Sequence, residues 1–300
     1  MIPCVDAHIH LWDLQHIRYD WLSAPFSDEG PNGSVEEIVH DYCIADYRAD
    51  LARWNVVSAV HVDAGAAAAS ALRETQWLDG MAQIEGLLTG FVAFAALHDP
   101  DVDALLAAQA ADPRVKGIRH IVNWHRDPKR TYGPVDLTVD PQWQAGYALL
   151  AKHGLSFDLQ CYPGQMPGLA PLIARHPDIP VIIDHMGMPV LTDPDGLDDW
   201  RAGMKALAAL PHVAVKLSGM GFIRRDWTCE SIEPLVRETI DLFGTDRCTF
   251  ASDTPTDTLF APIDRTMEAY HAIVADFPEA DRRALFAGNA NRLYRLGLDL

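Results

Sequence analysis

Short apolar runs alternate along this chain with polar turns and longer amphipathic stretches, and the alternation recurs from one end to the other. Runs rich in valine, isoleucine and phenylalanine at residues 4–10, 56–62, 90–97, 115–121, 155–160, 181–185, 213–218 and 248–253 predict strands. Such runs, bounded by polar or glycine-containing turns, suit a pleated sheet. Helices are predicted over 67–85, 141–153, 165–176, 197–210 and 231–243, with two more at 261–277 and 279–296. The start at 141 is the best marked, because Asp140 is a good N-cap and Pro141 suits the first helical position.

Strands that alternate with helices imply a parallel sheet. Eight of them imply an α/β fold of the closed (β/α)₈ type, the TIM barrel, as one domain over residues 1–300 with extra C-terminal helices. A doubly wound open sheet would carry a glycine-rich turn after its first strand. Here that strand ends in His8 and His10 instead. Barrel enzymes hold their chemistry at the C-terminal ends of the strands, so those positions carry most weight.

Bulk properties narrow the field. Hydrophobic residues make up 49% of the 300 residues and charged residues 22%, the balance of a well-packed enzyme. No apolar run approaches the ~18 residues of a membrane helix. The N-terminal residues lack the basic start and apolar stretch of a secretory signal, which leads us to expect a cytoplasmic protein with no membrane partner. Five scattered cysteines without C-x-x-C spacing argue against a disulfide framework or a cysteine zinc site. A formal charge of −18 would repel a phosphate backbone, so no nucleic-acid partner is expected. The expected partner is a small molecule. Both a monomer and a homodimer are compatible with these properties.

Three strand ends carry candidate chemistry. His8 and His10 lie at i and i+2, so both imidazoles point to one side. At the sixth strand an apolar run stops abruptly at Asp184 and His185, where a histidine can orient water or polarise a carbonyl. At the eighth, Asp253 suits either a metal ligand or a base for an attacking water, and equally an ordinary turn.

Taken together, these sites resemble the amidohydrolase superfamily, in its branch of lactonases and related barrel hydrolases. The likeness rests on Val5-Asp6-Ala7-His8-Ile9-His10, Lys116-Gly117-Ile118-Arg119, Phe157-Asp158-Leu159-Gln160, Asp184-His185-x-Gly187-x-Pro189, Lys216-Leu217-Ser218-Gly219, Ser252-Asp253-x-Pro255 and Gly288-Asn289-Ala290-x-Arg292-x-Tyr294. Binuclear members have a bridging lysine or glutamate on strand four and a histidine ending strand five. This chain has neither in place; its fifth strand ends in Gln160. The resemblance therefore implies at most one divalent ion, such as zinc, on His8, His10 and Asp253, with help from His185. It is equally compatible with no metal, the histidines polarising a lactone carbonyl while Asp253 activates water.

For substrate contacts, Arg119, Lys216 and Gln160 lie near the strand ends, with buried ion pairs as the alternative for the two cations. The long segment 123–132 is locally basic and includes His125, and Arg224 and Arg225 repeat that signal after the seventh strand. An anionic or polyhydroxylated ring fits these groups, although each is also an ordinary solvated charge. Trp12, Tyr19 and Trp21 are candidates for an aromatic wall or for plain packing. The resulting expectation is hydrolysis of a sugar lactone or of a lactone from aromatic catabolism. A metal-dependent, non-oxidative decarboxylase on the same fold is the alternative, and a binding protein without turnover is a third.

Overall fold

The computed structural model describes residues 2–300. Eight strands lie in one sheet in the order of the sequence: β1 (Cys4–Ile9), β2 (Val56–Val62), β3 (Leu88–Phe94), β4 (Val115–Arg119), β5 (Ser156–Leu159), β6 (Val181–Ile183), β7 (Val213–Leu217) and β8 (Cys248–Phe250). Each pairs in parallel with the next. The cylinder closes at its mouth: Asp253 N donates to His8 O at 2.9 Å and His10 N to Thr254 O at 2.8 Å. Lower on that seam the Asp6 carboxylate accepts from Ser252 N at 2.9 Å and from the Tyr47 hydroxyl at 2.8 Å. The chain is thus the expected (β/α)₈ barrel.

Helices α1 (Ile44–Asp50), α2 (Ala71–Glu85), α3 (Val102–Ala110), α4 (Pro141–His153), α5 (Met166–Ala174), α6 (Gly196–Ala208), the short α7 (Met220–Ile223), α8 (Cys229–Phe243) and α9 (Ile263–Ile273) follow the strands. The expected start of α4 holds, with the Asp140 side chain accepting from Gln142 N at 2.9 Å. The sequence reading missed α1, α3 and the four-residue α7. It also extended β6 and β8 too far, because the chain leaves the extended region soon after each strand. The helix expected over 279–296 is three pieces: α10 (Glu279–Arg283), a π-helical turn over Ala284–Gly288, and α11 (Asn289–Leu293).

Two main apolar cores result, beside a small cluster of Tyr162, Met188 and Val190 near the mouth. The larger lies between sheet and helices, around Phe91, Trp143, Phe157, Ile183, Trp200 and Phe250. The smaller fills the barrel, where Val5, Ala7, Val60, Val62, Val92 and Ile182 meet Ala287, Ala290 and Tyr294 of the C-terminal segment. That segment plugs the end opposite the mouth. No described helix is long and apolar enough to cross a membrane.

Candidate active site

β1 delivers both its histidines to the barrel interior. His8 Nε2 lies 3.2 Å from His10 Nε2 and 3.4 Å from Asp253 Oδ1. His10 Nε2 stands 3.2 Å from that same carboxylate oxygen. The other nitrogen of His10, Nδ1, is 2.8 Å from the Val62 carbonyl oxygen. A carbonyl only accepts, so His10 Nδ1 carries the proton and its Nε2 faces Asp253. His185 completes the group, its ring centroid 4.9 Å from that of His8 and its Nδ1 3.0 Å from Ser218 Oγ. Its ring packs against Gly219, where a Cβ would come within 2.6 Å; φ of +68° there also favours glycine.

His185 and Asp253 themselves have φ of +52° and +56°. For side chains of this kind the left-handed region costs about 1–3 kcal/mol each and recurs at functional sites. The surroundings also set protonation. Burial alone would raise the Asp253 carboxyl, but the imidazoles of His185, His10 and His8 outweigh it and hold the group well below the usual carboxylate range. Burial pushes His8 and His185 down, and the Lys216 cation lowers His8 further. The Asp253 carboxyl therefore gives up its proton readily in this setting.

Lys216 lies directly beneath, fully buried, with Nζ 2.5 Å from Asp158 Oδ2, 2.9 Å from Asp184 Oδ1 and 3.3 Å from His8 Nδ1. The Tyr294 hydroxyl donates to the same Asp158 oxygen at 2.7 Å. Lys216 therefore sits as a structural cation under the site rather than on the cavity wall. Arg119 is also committed: Nε donates to Asp63 Oδ2 at 2.6 Å, one terminal nitrogen to the Asp63 carbonyl, and the other to Gln160 Oε1 at 3.0 Å.

Above these groups opens a cavity of about 200 Å³ lined by His10, Arg119, Gln160, His185 and Asp253. Trp21, Asn32, Tyr132 and Phe222 form its walls. Of the three aromatic candidates only Trp21 reaches it, with its indole N–H on the Ala64 carbonyl at 2.8 Å; Trp12 and Tyr19 are packing groups. His125 lies outside, bonded to Asp193 Oδ2 at 3.0 Å in a neighbouring hollow. Arg224 is exposed and 3.8 Å from Asp226. Sequence reasoning passed over Asn32 and Phe222. Their only signal was membership of long segments after β1 and β7, and long loops often carry binding groups.

A metal fits the donor set. Among the described residues, His8, His185 and Asp253 can each turn a ligand atom to within 4.8 Å of the others. The Asp253 Oδ2 is buried without a partner, and two acceptors, His10 Nε2 and Asp253 Oδ1, stand close enough to need a proton or a cation between them. Two imidazoles and a carboxylate with an open position suit a single zinc-type ion.

Comparison with known proteins gives a consistent picture. Residues 5–296 match the model of the amidohydrolase family. An uncharacterised Sinorhizobium fredii protein, y4mH, is 40% identical over 98% of this chain and 99% of its own length. An L-fucono-1,5-lactonase of Burkholderia ambifaria is 27% identical over 97% of this chain and 95% of its own. The crystal structure of an amidohydrolase from Burkholderia multivorans with bound zinc superposes with a TM-score of 0.80 at 26% identity, covering 97% of this chain and 99% of that one.

Proposed function

This chain belongs to the amidohydrolase family, and from that premise we propose that it is a lactonase, opening a small lactone ring by attack of an activated water on the ester carbonyl. The whole chain, residues 1–300, acts as one catalytic unit on an anionic or polyhydroxylated ring, of the sugar-lactone type carried in the names of two relatives. The observation that carries the reading is the cluster in which Asp253 Oδ1 stands 3.2 Å from His10 and 3.4 Å from His8, with Asp253, His10 and His185 lining a small cavity.

In this reading Asp253 takes a proton from water as the oxygen adds to the carbonyl carbon. His185, with His8, orients the ester and stabilises the oxyanion that develops, while the accepting Nε2 of His10 helps hold the attacking water beside Asp253. Collapse of the adduct breaks the ring C–O bond, and the departing alkoxide recovers a proton by way of Asp253. A low carboxyl pKa makes Asp253 a weak base, which a lactone tolerates because it is an activated ester. His8, His10 or His185 together with Asp253 would hold a divalent ion, which when bound would lower the pKa of its water to about 7. Gln160 and Arg119 stand beside the substrate, while Lys216 fixes His8 from below.

A pH-indicator screen over sugar and muconate-type lactones tests this, with native, chelated and zinc-supplemented protein. Acid release is expected, falling by about 10³-fold or more in Asp253→Asn. Loss on chelation with rescue by zinc assigns the metal-assisted form; survival assigns the metal-free one. Carbon dioxide released from an aromatic acid, with every lactone left closed, would replace the reading by the decarboxylase.

A further inference from the structure

Arginine donates hydrogen bonds and accepts none. The Arg119 nitrogen 3.0 Å from the Gln160 side chain therefore faces its carbonyl oxygen, and this settles which way the amide points. Arg119 cannot swing to release it, because Asp63 grips its other two nitrogens through both its carboxylate and its backbone carbonyl. All three residues are at least nine-tenths buried, with relative exposures of 2% for Asp63, 4% for Arg119 and 3% for Gln160.

Gln160 Nε2 is left over. It meets no acceptor among the described residues, and it is absent from the polar atoms sealed inside the protein without a partner. Gln160 lines the cavity that holds His10, His185 and Asp253, so its free amide N–H groups open there.

We propose that Gln160 is the fixed hydrogen-bond donor that recognises an acceptor oxygen of the substrate, the carbonyl or ring oxygen of the lactone, and that Arg119 is the residue that positions it. This rests on the lactonase reading and changes the part Arg119 plays within it. The planar fork that would clamp a substrate carboxylate is spent on Asp63. The site reads an oxygen that accepts, and disfavours a group that must donate. Asp63, Arg119 and Gln160 follow or end β2, β4 and β5, so the donor's aim is set by the barrel rather than by a loop.

Gln160→Glu separates recognition from architecture. It keeps an oxygen for Arg119 but replaces the cavity's donor by a second acceptor. With L-fucono-1,5-lactone as probe, kcat/KM is expected to fall about 100-fold, as for loss of one oxyanion donor, at an unchanged Tm. Gln160→Met is the second variant, read in its place if Gln160→Glu lowers Tm. Arg119→Lys is expected to cost clearly less in the Gln160→Glu background than in wild type, since most of its effect runs through the lost donor. Unchanged kinetics in the Gln160 variant, or full additivity with Arg119→Lys, overturns the proposal.

A binding arm makes the test independent of turnover. The corresponding δ-lactam, titrated calorimetrically, is expected to bind the Gln160 variant at least tenfold more weakly than wild type. Should wild type hydrolyse no lactone, the lactonase reading fails while this arm still decides the role of Gln160. Equal lactam affinity in both proteins, or none in either, overturns it.

Discussion

Glu74 shows how far a single buried carboxyl can set the pH behaviour of this fold. It is 1% exposed, accepts from Ala64 N at 3.2 Å, and stands next to the Asp63 that grips Arg119. Burial, then the Asp63 charge, pushes its carboxyl up to about 8 from an ordinary 4.5. Below the ordinary value both folded and unfolded chains hold the proton. As pH rises from there toward 8 the unfolded chain ionises first, so the contribution of Glu74 to stability falls steadily. Glu74→Gln is therefore expected to match wild type in Tm near pH 4.5 and to exceed it by a few degrees at pH 8. A pH series of thermal melts checks this; parallel curves would contradict it. Residues of this kind were invisible in the sequence, where Glu74 is one more polar position on a helix. His8, His10, His185 and Asp253 were legible because each ends a predicted strand. The depth of Lys216 was not, since the order of layers inside a barrel depends on strand register and on the bulges in β1 that no local pattern records.

Among the elements, α4 is held tightly against a segment earlier in the chain. A Cβ on Gly146 would come within 1.9 Å of the Leu97 carbonyl oxygen, in the segment after β3. Backbone cannot give way as a side-chain tip does, so Gly146→Ala is expected to cost roughly 1–3 kcal/mol. Chemical denaturation should show it as a lower midpoint at unchanged slope. The start of α4 was readable from its cap and proline; the reason for its glycine lies in another element. The missed helices have similar causes. In α1 a seven-residue helix follows a long irregular segment, and the alanine-rich α3 shows little polar–apolar contrast. The end of the chain was read as one helix because its periodicity continues across the π-helical turn, which only the packing of Ala287 and Ala290 into the barrel reveals.

Across the whole molecule, the barrel depends on what fills its far end. Tyr294 brings a hydroxyl to Asp158, which with Asp184 balances Lys216 beneath His8. Deleting residues 284–300 would uncover the inner core and leave that buried charge cluster one hydrogen bond short. Such a protein is expected to lose cooperative thermal unfolding and to bind a hydrophobic dye; a sharp wild-type-like melt would show the plug to be dispensable. The seam between the last strand and the first has a different significance. The backbone bonds that close the cylinder at its mouth belong to His8, His10, Asp253 and Thr254. The clasp of the fold and the groups proposed to react are thus the same stretch of chain. Descendants of this sequence are free to redraw their loops and change what they accept, but mutations at these two strand ends put shape and chemistry at risk together. Selection for a durable protein and selection for a working one fall on the same residues there, which leaves the rim as the ground on which new specificities arise.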